Sequence, residues 1–180
     1  HLHPVVFMDC FLTFTEPLPG RKAQLEMAPI YRTAGLLHEV PPANALVSAV
    51  LIVLTPTGTG RGGRALLNWR VLLIRRTTYP GIHSGQIAFP GGRQERGDKG
   101  LWETACREAF EEVGIDERRL EKIGPLTSLY VPPSNFLIHP FVAIDRTLGH
   151  LIAQPREVVD YKLVPLRVFD PAEARLLEFD

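Results

Sequence analysis

The sequence predicts an α/β fold, a three-layer α/β/α sandwich built on a mixed β-sheet. Residues 45–55 form a nearly continuous apolar run, which is typical of a strand buried on both faces of a sheet. Residues 101–113 place apolar side chains at helical spacing, so they predict an amphipathic helix. Shorter strand-like segments lie on both sides of this helix in the sequence. Alternation of strands with helices favours helices packed on both faces of the sheet.

The remaining elements are predicted from local patterns. Apolar and β-branched stretches bounded by glycine and proline indicate further strands, and Asp170 followed by Pro171 is a typical helix start. These strands are expected at residues 65–77, 85–89, 126–131, 136–144 and 160–166. After the two prolines of the Tyr130–Phe136 segment, we expect Ser134 and Asn135 to shape a turn.

The chain has 180 residues, of which 45% are hydrophobic, and this suffices for one domain with a real core. Residues 1–42 are rich in proline and irregular in pattern, and Pro41-Pro42 marks a boundary. We therefore expect an N-terminal extension or arm at residues 1–42 and the folded domain at residues 43–180.

Bulk properties exclude several classes of protein. The net charge is zero, which argues against a nucleic-acid binder. No stretch reaches the ~20 apolar residues of a membrane span, and the start lacks the charged region of a signal peptide. The two cysteines, Cys10 and Cys106, make no disulfide framework, and Cys106 falls on the apolar helix face as a small core residue. We expect a cytoplasmic protein without membrane or nucleic-acid partners, and a homodimer is compatible with the sequence.

The helix at residues 101–113 has recognisable ends. Asp98 is the expected N-cap, and Glu103 precedes Arg107 by four residues, the favoured order for an ion pair. Gly114 follows the last periodic residue and suits a left-handed C-cap, after which Ile115 would pack back on the last turn.

This helix carries three glutamates, Glu108, Glu111 and Glu112, at relative positions i, i+3 and i+4. They share one helix face, where like charges destabilise the helix unless something neutralises them. Divalent cations do so, since hard cations take carboxylate oxygens. The turn at Gly91 and Gly92 lets the backbone approach a ligand closely. The pattern thus indicates a site for metal and an anionic substrate.

The second half of this region, Arg107–Ile115 (REAFEEVGI), resembles the signature box of the Nudix hydrolases, GX5EX7REUXEEXGU, with Ala109 at the first U position. The first half departs from that box. The acidic position counted from Gly92 holds Asp98, and eight residues rather than seven separate Asp98 from Arg107. The fold that this resemblance implies is again a three-layer α/β/α sandwich.

A second motif lies upstream, in residues 72–92 (LLIRRT through HSGQIA to FPGG). It is similar to the LLTxR(S/A)x3Rx3Gx3FPGG motif of the coenzyme A pyrophosphatase branch of the same superfamily. Ile74 stands where that motif has threonine, and Gly81 stands where it has arginine. The segment Tyr130–Phe136 (YVPPSNF) also resembles this branch. Together the resemblances cover roughly residues 45–166.

The Nudix resemblance implies roles for particular residues. Glu108, Glu111, Glu112 and the backbone carbonyl of Gly91 would bind Mg²⁺ or Mn²⁺. Arg107 is expected to orient Glu108 or Glu111. The general base would be a box glutamate, Glu108 or Glu112, or a glutamate on a later loop, for which Glu157 is the candidate; an ordinary surface glutamate is an equal alternative. The expected substrate contacts are Arg75, Arg76, His83, Gly85 and Gln86, with a structural hydrogen bond as the alternative for His83.

The leading functional hypothesis is a metal-dependent hydrolase that cleaves the diphosphate of coenzyme A or acyl-coenzyme A. The products would be 3′,5′-ADP and 4′-phosphopantetheine or its acyl form. Because Gly81 replaces an arginine, another nucleoside diphosphate derivative, such as ADP-ribose, NADH or a dinucleotide, remains an alternative substrate. A non-catalytic nucleotide-binding module is the third hypothesis, disfavoured because all three box glutamates are present.

Overall fold

A long apolar strand, β3 (Leu46–Thr55), lies at the centre of the main sheet. It runs parallel to β9 (Phe136–Asp145) and antiparallel to β4 (Arg70–Arg76), so the sheet is mixed, as predicted. Several of its side chains, including Leu51 and Val53, are fully buried, which explains the continuous apolar sequence. The computed structural model describes residues 5–8, 11–14, 17–26, 40–57, 66–78 and 84–170.

The other strands extend this sheet to both sides. β10 pairs with β4 at one edge, and β7 pairs with β9 at the other. Short strands β5, β6 and β8 pair with β4, β3 and β9 respectively. Their bounds are Ile87–Ala88 (β5), Gly91–Arg93 (β6), Leu120–Pro125 (β7), Leu129–Val131 (β8) and Val158–Pro165 (β10).

One face of the sheet is covered by the helix α2 (Leu101–Val113), and the main core lies between them. Cys106 is buried on this helix, and its burial raises the thiol pKa to about 12, which confirms a core role. Gly114 ends the helix with φ 75°, and its N–H donates to Phe110 O at 2.8 Å. Ile115 then donates from its backbone to Ala109 O and is fully buried. The predicted helix end is therefore confirmed.

The opposite face of the sheet has a second apolar cluster around Trp69, Val71 and Ile144. Leu66 and Leu166, which flank the sheet in short helical segments, pack against this cluster. Leu166 belongs to a 3₁₀-helix, Leu166–Phe169, that follows β10 directly. The helix predicted to start at Asp170 lies outside the described residues.

The N-terminal region contains more regular structure than its composition suggested. β1 (Val5–Met8) and β2 (Phe11–Phe14) form an antiparallel hairpin, and α1 (Gly20–Glu26) follows. Gln24 Nε2 donates to the Thr127 carbonyl at 3.0 Å, which connects α1 to the main domain. None of the helices in the described part of the chain is long and apolar enough to cross a membrane.

Several boundaries differ from prediction for local reasons. The strand expected from residue 65 begins only at Arg70, because Trp69 N–H donates to Leu66 O at 2.9 Å and closes a helical turn first. β7 was not predicted, since its sequence LEKIGP mixes charges with apolar residues. The turn expected at Ser134 and Asn135 is confirmed: Pro132–Ser134 form a 3₁₀-helix, and Asn135 has φ 54°.

Candidate active site

Glu112 is the most deeply buried carboxylate on the glutamate face of α2, with no exposed surface. Its Oε2 accepts a hydrogen bond from Gly91 N–H at 2.9 Å, while Oε1 accepts none and lies 3.5 Å from Arg76 Nη1. Burial raises the pKa of Glu112 to about 7, partly offset by Gly91 N–H and Arg76. A buried carboxylate with an unfilled acceptor atom favours a cation at this point.

The glycines at the start of the glutamate-bearing region lie in β6, directly against the central strand. Gly91 pairs with Val50 and Gly92 with Ala49. A β-carbon on Gly91, which has φ 154°, would lie 2.6 Å from Val50 Cα. A β-carbon on Gly92 would overlap the carboxylate of Glu108. A turn was predicted at these positions, and the structure has a short strand there instead. The predicted need for glycine is present, because the β3 backbone approaches Gly91 and the Glu108 carboxylate approaches Gly92 with no side chain between them.

Arg107 connects the glutamates of α2 to the preceding loop. Its Nη1 donates to Glu108 Oε1 at 2.9 Å and to Glu111 Oε2 at 3.0 Å. Its Nη2 donates to the carbonyl of Arg93 at 3.0 Å. Burial raises the pKa of Glu108, and the neighbouring Arg107 partly offsets this rise. The expected contact of Arg107 with Glu108 or Glu111 is thus present with both.

Asp98 anchors this arginine and is not the N-cap of the helix. The N-cap is Gly100, which makes no side-chain hydrogen bond. Asp98 instead accepts from Arg107 Nε at 3.0 Å and Nη2 at 3.1 Å, and from Thr104 Oγ1 at 2.9 Å. Arg107 therefore pairs with Asp98 rather than with Glu103, whose carboxylate accepts from the backbone N–H of Lys99. Both expectations for this turn were wrong, because the Asp98 carboxylate accepts from the Arg107 and Thr104 side chains and not from the first backbone N–H groups of α2.

The two arginines at the end of β4 lie in different surroundings, because consecutive strand residues point to opposite faces. Arg76 reaches the site, where its Nη1 lies 3.5 Å from Glu112 Oε1 and 3.5 Å from Gly91 O. Arg75 forms a bidentate pair with Asp160 on β10, at 3.1 and 3.0 Å. The structure thus brings Arg76, but not Arg75, to the glutamates.

Glu157 lies immediately before β10, where the chain returns to the glutamates. Its carbonyl accepts from Thr77 N–H at 2.9 Å, and its N–H donates to Gln154 O at 3.0 Å. Gln154 N–H in turn donates to the Glu112 carbonyl at 2.9 Å. The negative charge of Glu157 is one of the causes that raise the pKa of Glu108 and of Glu112. The backbone of Glu157 is thus linked through Gln154 to the end of α2 that carries Glu112.

The remaining predicted substrate residues lie beyond the end of β4. Gly85 has φ 67°, and its N–H donates to Thr77 O at 3.2 Å. The carbonyl of Gln86 accepts from Arg76 N–H at 3.0 Å, and Gly85 and Gln86 are both exposed. Gly85 and Gln86 are therefore linked by backbone hydrogen bonds to Thr77 and Arg76. His83 lies outside the described residues.

The fit of a metal ion can be tested on these atoms. As they stand, no three acidic, histidine or cysteine side chains in the described ranges are arranged to hold an ion, and Arg107 occupies Glu108 and Glu111. The donor set nevertheless consists of oxygens: the unfilled Glu112 Oε1, the Glu108 carboxylate and the Gly91 carbonyl. Hard divalent cations such as Mg²⁺ and Mn²⁺ prefer such ligands. The residues therefore fit a metal of this class.

The sequence of this domain also matches a known family. A family model for the NUDIX domain matches residues 46–179, well over half of the chain. The chain belongs to the Nudix family. Nudix hydrolases generally use divalent metal ions, which agrees with the oxygen donors found here. The predicted α/β fold of the Nudix type is confirmed.

The chain is similar to two relatives in sequence and to a solved structure in fold. It is 30% identical over 127 residues to "Nudix hydrolase 3" of Caenorhabditis elegans, covering 69% of this chain and 49% of that protein. It is 38% identical over 96 residues to "Uncharacterized Nudix hydrolase NudL" of Photorhabdus laumondii, covering 53% and 51%. The chain thus spans about half the length of these two relatives. The crystal structure of a Caenorhabditis elegans Ap4A hydrolase binary complex shares the fold, with a TM-score of 0.54 at 17% identity over 71% of this chain and 85% of that one.

Sequence reasoning missed the part that Asp98 plays in this Nudix site. The available signal was its place at the acidic position of the Nudix box, counted from Gly92. Its carboxylate is almost fully buried, and the hydrogen bonds from Arg107 lower its pKa to about 2. Asp98 therefore holds the arginine that holds Glu108 and Glu111.

Asp98→Asn should lower the free energy of unfolding at pH 7 by about 2 kcal/mol, because the pKa of Asp98 is lowered from 3.8 to about 2 and each unit corresponds to ~1.36 kcal/mol. The folded-state pKa lies below the ordinary 3.8, so the contribution is complete above pH 3.8 and is lost as the pH falls towards 2. Chemical denaturation at pH 7, 5 and 2.5 measures it. Asp116→Asn removes the same charge beside the exposed Arg118 and should cost less. If the free energies of unfolding of wild type and Asp98→Asn differed by the same amount at pH 7 and at pH 2.5, this role of Asp98 would be contradicted.

Proposed function

We propose that this Nudix domain is a metal-dependent hydrolase that cleaves the diphosphate of coenzyme A or acyl-coenzyme A. The observation that carries the hydrolase proposal is the buried Glu112, whose unfilled Oε1 lies beside Gly91 and Arg76. The substrate proposal is supported by the upstream motif, whose Arg76, Gln86 and Gly91 are joined around the end of β4. The products would be 3′,5′-ADP and 4′-phosphopantetheine or its acyl form.

The carboxylates of Glu108, Glu111 and Glu112, together with the carbonyl of Gly91, are the proposed ligands of Mg²⁺ or Mn²⁺. A bound ion supplies charge neutralisation on the diphosphate and lowers the pKa of water. Arg107 holds Glu108 and Glu111 in orientation from the outer side of the helix. Glu112 is held by Gly91 N–H, so that its second oxygen remains available.

Hydrolysis requires a base that takes a proton from water as the water oxygen attacks phosphorus. The bond between the bridging oxygen and that phosphorus then breaks, and the leaving phosphate keeps the electron pair. We assign the base to Glu157, because it lies on a different segment from the proposed ligands and that segment is bonded to the Glu112 carbonyl through Gln154 N–H. Glu108 and Glu112 remain the alternatives. Arg76 carries a fixed positive charge at the same point and is the proposed contact of a substrate phosphate.

A substrate panel tests this proposal. Purified protein with Mg²⁺ or Mn²⁺ is incubated with coenzyme A, dephospho-coenzyme A, ADP-ribose and NADH, and the products are separated by chromatography. We expect coenzyme A to give 3′,5′-ADP. The second candidate, another nucleoside diphosphate derivative, is favoured by Gly81 in place of the motif arginine, and cleavage of ADP-ribose or NADH with intact coenzyme A would establish it. Binding without cleavage of any compound would indicate a non-catalytic module.

Arg76→Ala should raise KM for the cleaved substrate about tenfold, which corresponds to ~1.4 kcal/mol, and lower kcat by less than that. The reason is that a phosphate-binding arginine holds the ground state and the transition state alike. Steady-state kinetics with saturating metal measures both constants. Arg75→Ala is the matched control on the same strand, where the side chain pairs with Asp160, and its KM should change less than about twofold. If Arg76→Ala and Arg75→Ala changed KM by the same factor, a role of Arg76 in substrate binding would be contradicted.

A further inference from the structure

Thr77 joins two segments beside the end of β4, although the sequence motif that contains it assigned it no role. It directly follows Arg76 at the end of β4. Its N–H donates to Glu157 O at 2.9 Å, and its hydroxyl donates to Arg156 O at 3.1 Å. Its own carbonyl accepts from Gly85 N–H at 3.2 Å. One residue thus connects the segment before β10 and the segment that leads to β5.

The segment 152–157 is also attached at its other end, to the end of α2. Ile152 N–H donates to Val113 O at 3.0 Å, and Gln154 N–H donates to Glu112 O at 2.9 Å. The Gln154 carbonyl then accepts from Glu157 N–H and from Val158 N–H, at 3.0 and 2.8 Å, and closes a tight turn. The segment therefore spans from the glutamate helix to β4, and Thr77 forms its second attachment.

We propose that Thr77 is a positioning residue whose hydroxyl fixes the segment 152–157, so that Glu157 is held close to the end of α2 that carries Glu112. This inference rests on the proposed function, in which Glu157 is the general base. A general base contributes only when it is held within hydrogen-bond reach of the proton it takes. The backbone bonds of Thr77 persist with any side chain, but the hydroxyl bond to Arg156 O requires serine or threonine.

The kinetic test compares Thr77→Val, which keeps the shape and removes the donor, with Thr77→Ser, which keeps the donor. It uses whichever diphosphate the wild type hydrolyses. We expect Thr77→Val to lower kcat about fivefold with KM changed less than twofold, in line with one lost hydrogen bond. Thr77→Ser should stay within twofold of wild type. In a Glu157→Gln background, Thr77→Val should have no further effect on kcat, since the two residues act through one group.

Amide hydrogen exchange provides a second readout that does not depend on catalysis. In Thr77→Val, the Val158 and Gln154 amides should exchange several-fold faster, while amides of β3 keep their rates. Unchanged amide exchange rates in the segment 152–157 would overturn the proposal. So would a double variant in which Thr77→Val and Glu157→Gln each lower kcat by their full separate factors. A normal kcat in Glu157→Gln would also overturn it, because the base would lie elsewhere. A wild type that cleaves no diphosphate would refute the proposed function, and the exchange result alone would then decide whether Thr77 holds the segment.

Discussion

Glu112→Gln should reduce kcat at least ~100-fold, a loss of about 2.7 kcal/mol of transition-state stabilisation, while the fold is retained. Glutamine keeps the size of the side chain and an oxygen that can accept from Gly91 N–H, but it removes the negative charge that a divalent cation requires. Steady-state kinetics with Mg²⁺ or Mn²⁺ and isothermal titration of the metal measure the two consequences together.

The control for this substitution is Glu103→Gln on the same helix, whose carboxylate accepts from a backbone N–H near the helix start. It should leave metal affinity and kcat within about twofold of wild type. In metal-free buffer, wild type should lose stability as the pH rises from 4.5 through 7, because the folded-state pKa of Glu112 is raised. Glu112→Gln should lose less stability than wild type as the pH rises over the same range. If Glu112→Gln kept a near-normal kcat, the proposed location of the metal site on α2 would be contradicted.

Gly92→Ala should abolish most of the activity, with a loss of at least ~100-fold in kcat, and should have a smaller effect on stability. A single β-carbon at this position overlaps the Glu108 carboxylate, which must then move away from Gly91 and Glu112. Because the displaced atoms are the end of a flexible side chain, the backbone can stay in place. Thermal unfolding and kcat measured on the same preparation separate the two effects.

Gly97→Ala is the matched control, because it lies in the loop that follows β6 and a β-carbon there would meet no atom within 4 Å. It should change neither kcat nor thermal stability appreciably. Gly91→Ala, by contrast, would place a β-carbon against the backbone of β3 and should also destabilise the fold. If Gly92→Ala retained normal kcat, the position of Glu108 next to β6 would not matter for catalysis.

The sequence was most informative where a local pattern and burial agreed. The helix Leu101–Val113 was predicted with its C-terminal glycine, since the apolar period and the cap residue both act within a few residues. The central strand Leu46–Thr55 was predicted to within one residue for a similar reason. The proximity of Glu112 to the Gly91 backbone was expected from the family motif, and the structure supplies its hydrogen bond.

Contacts between distant residues were not predictable from such patterns. Asp98 was predicted to be the helix N-cap because it lies shortly before the helix in the sequence. The sequence spacing does not show that its carboxylate accepts from Arg107 in the middle of the helix. Arg75 and Arg76 were treated as a pair, although strand geometry separates them and only the position of β10 shows where Arg75 goes. The strand β7 depends on pairing with β9, and its own residues carry little strand preference.

The parallel pairing of β3 with β9 has a consequence for how the protein folds. It joins Leu46 to Phe136 and Leu54 to Ile144, so the whole intervening chain, including α2, must be synthesised before the centre of the sheet can close. Contacts of such long sequence separation carry a large loop-closure entropy and slow the folding reaction. The apolar strand β3 emerges from the ribosome before its partner β9, so it is exposed to aggregation until β9 has been synthesised.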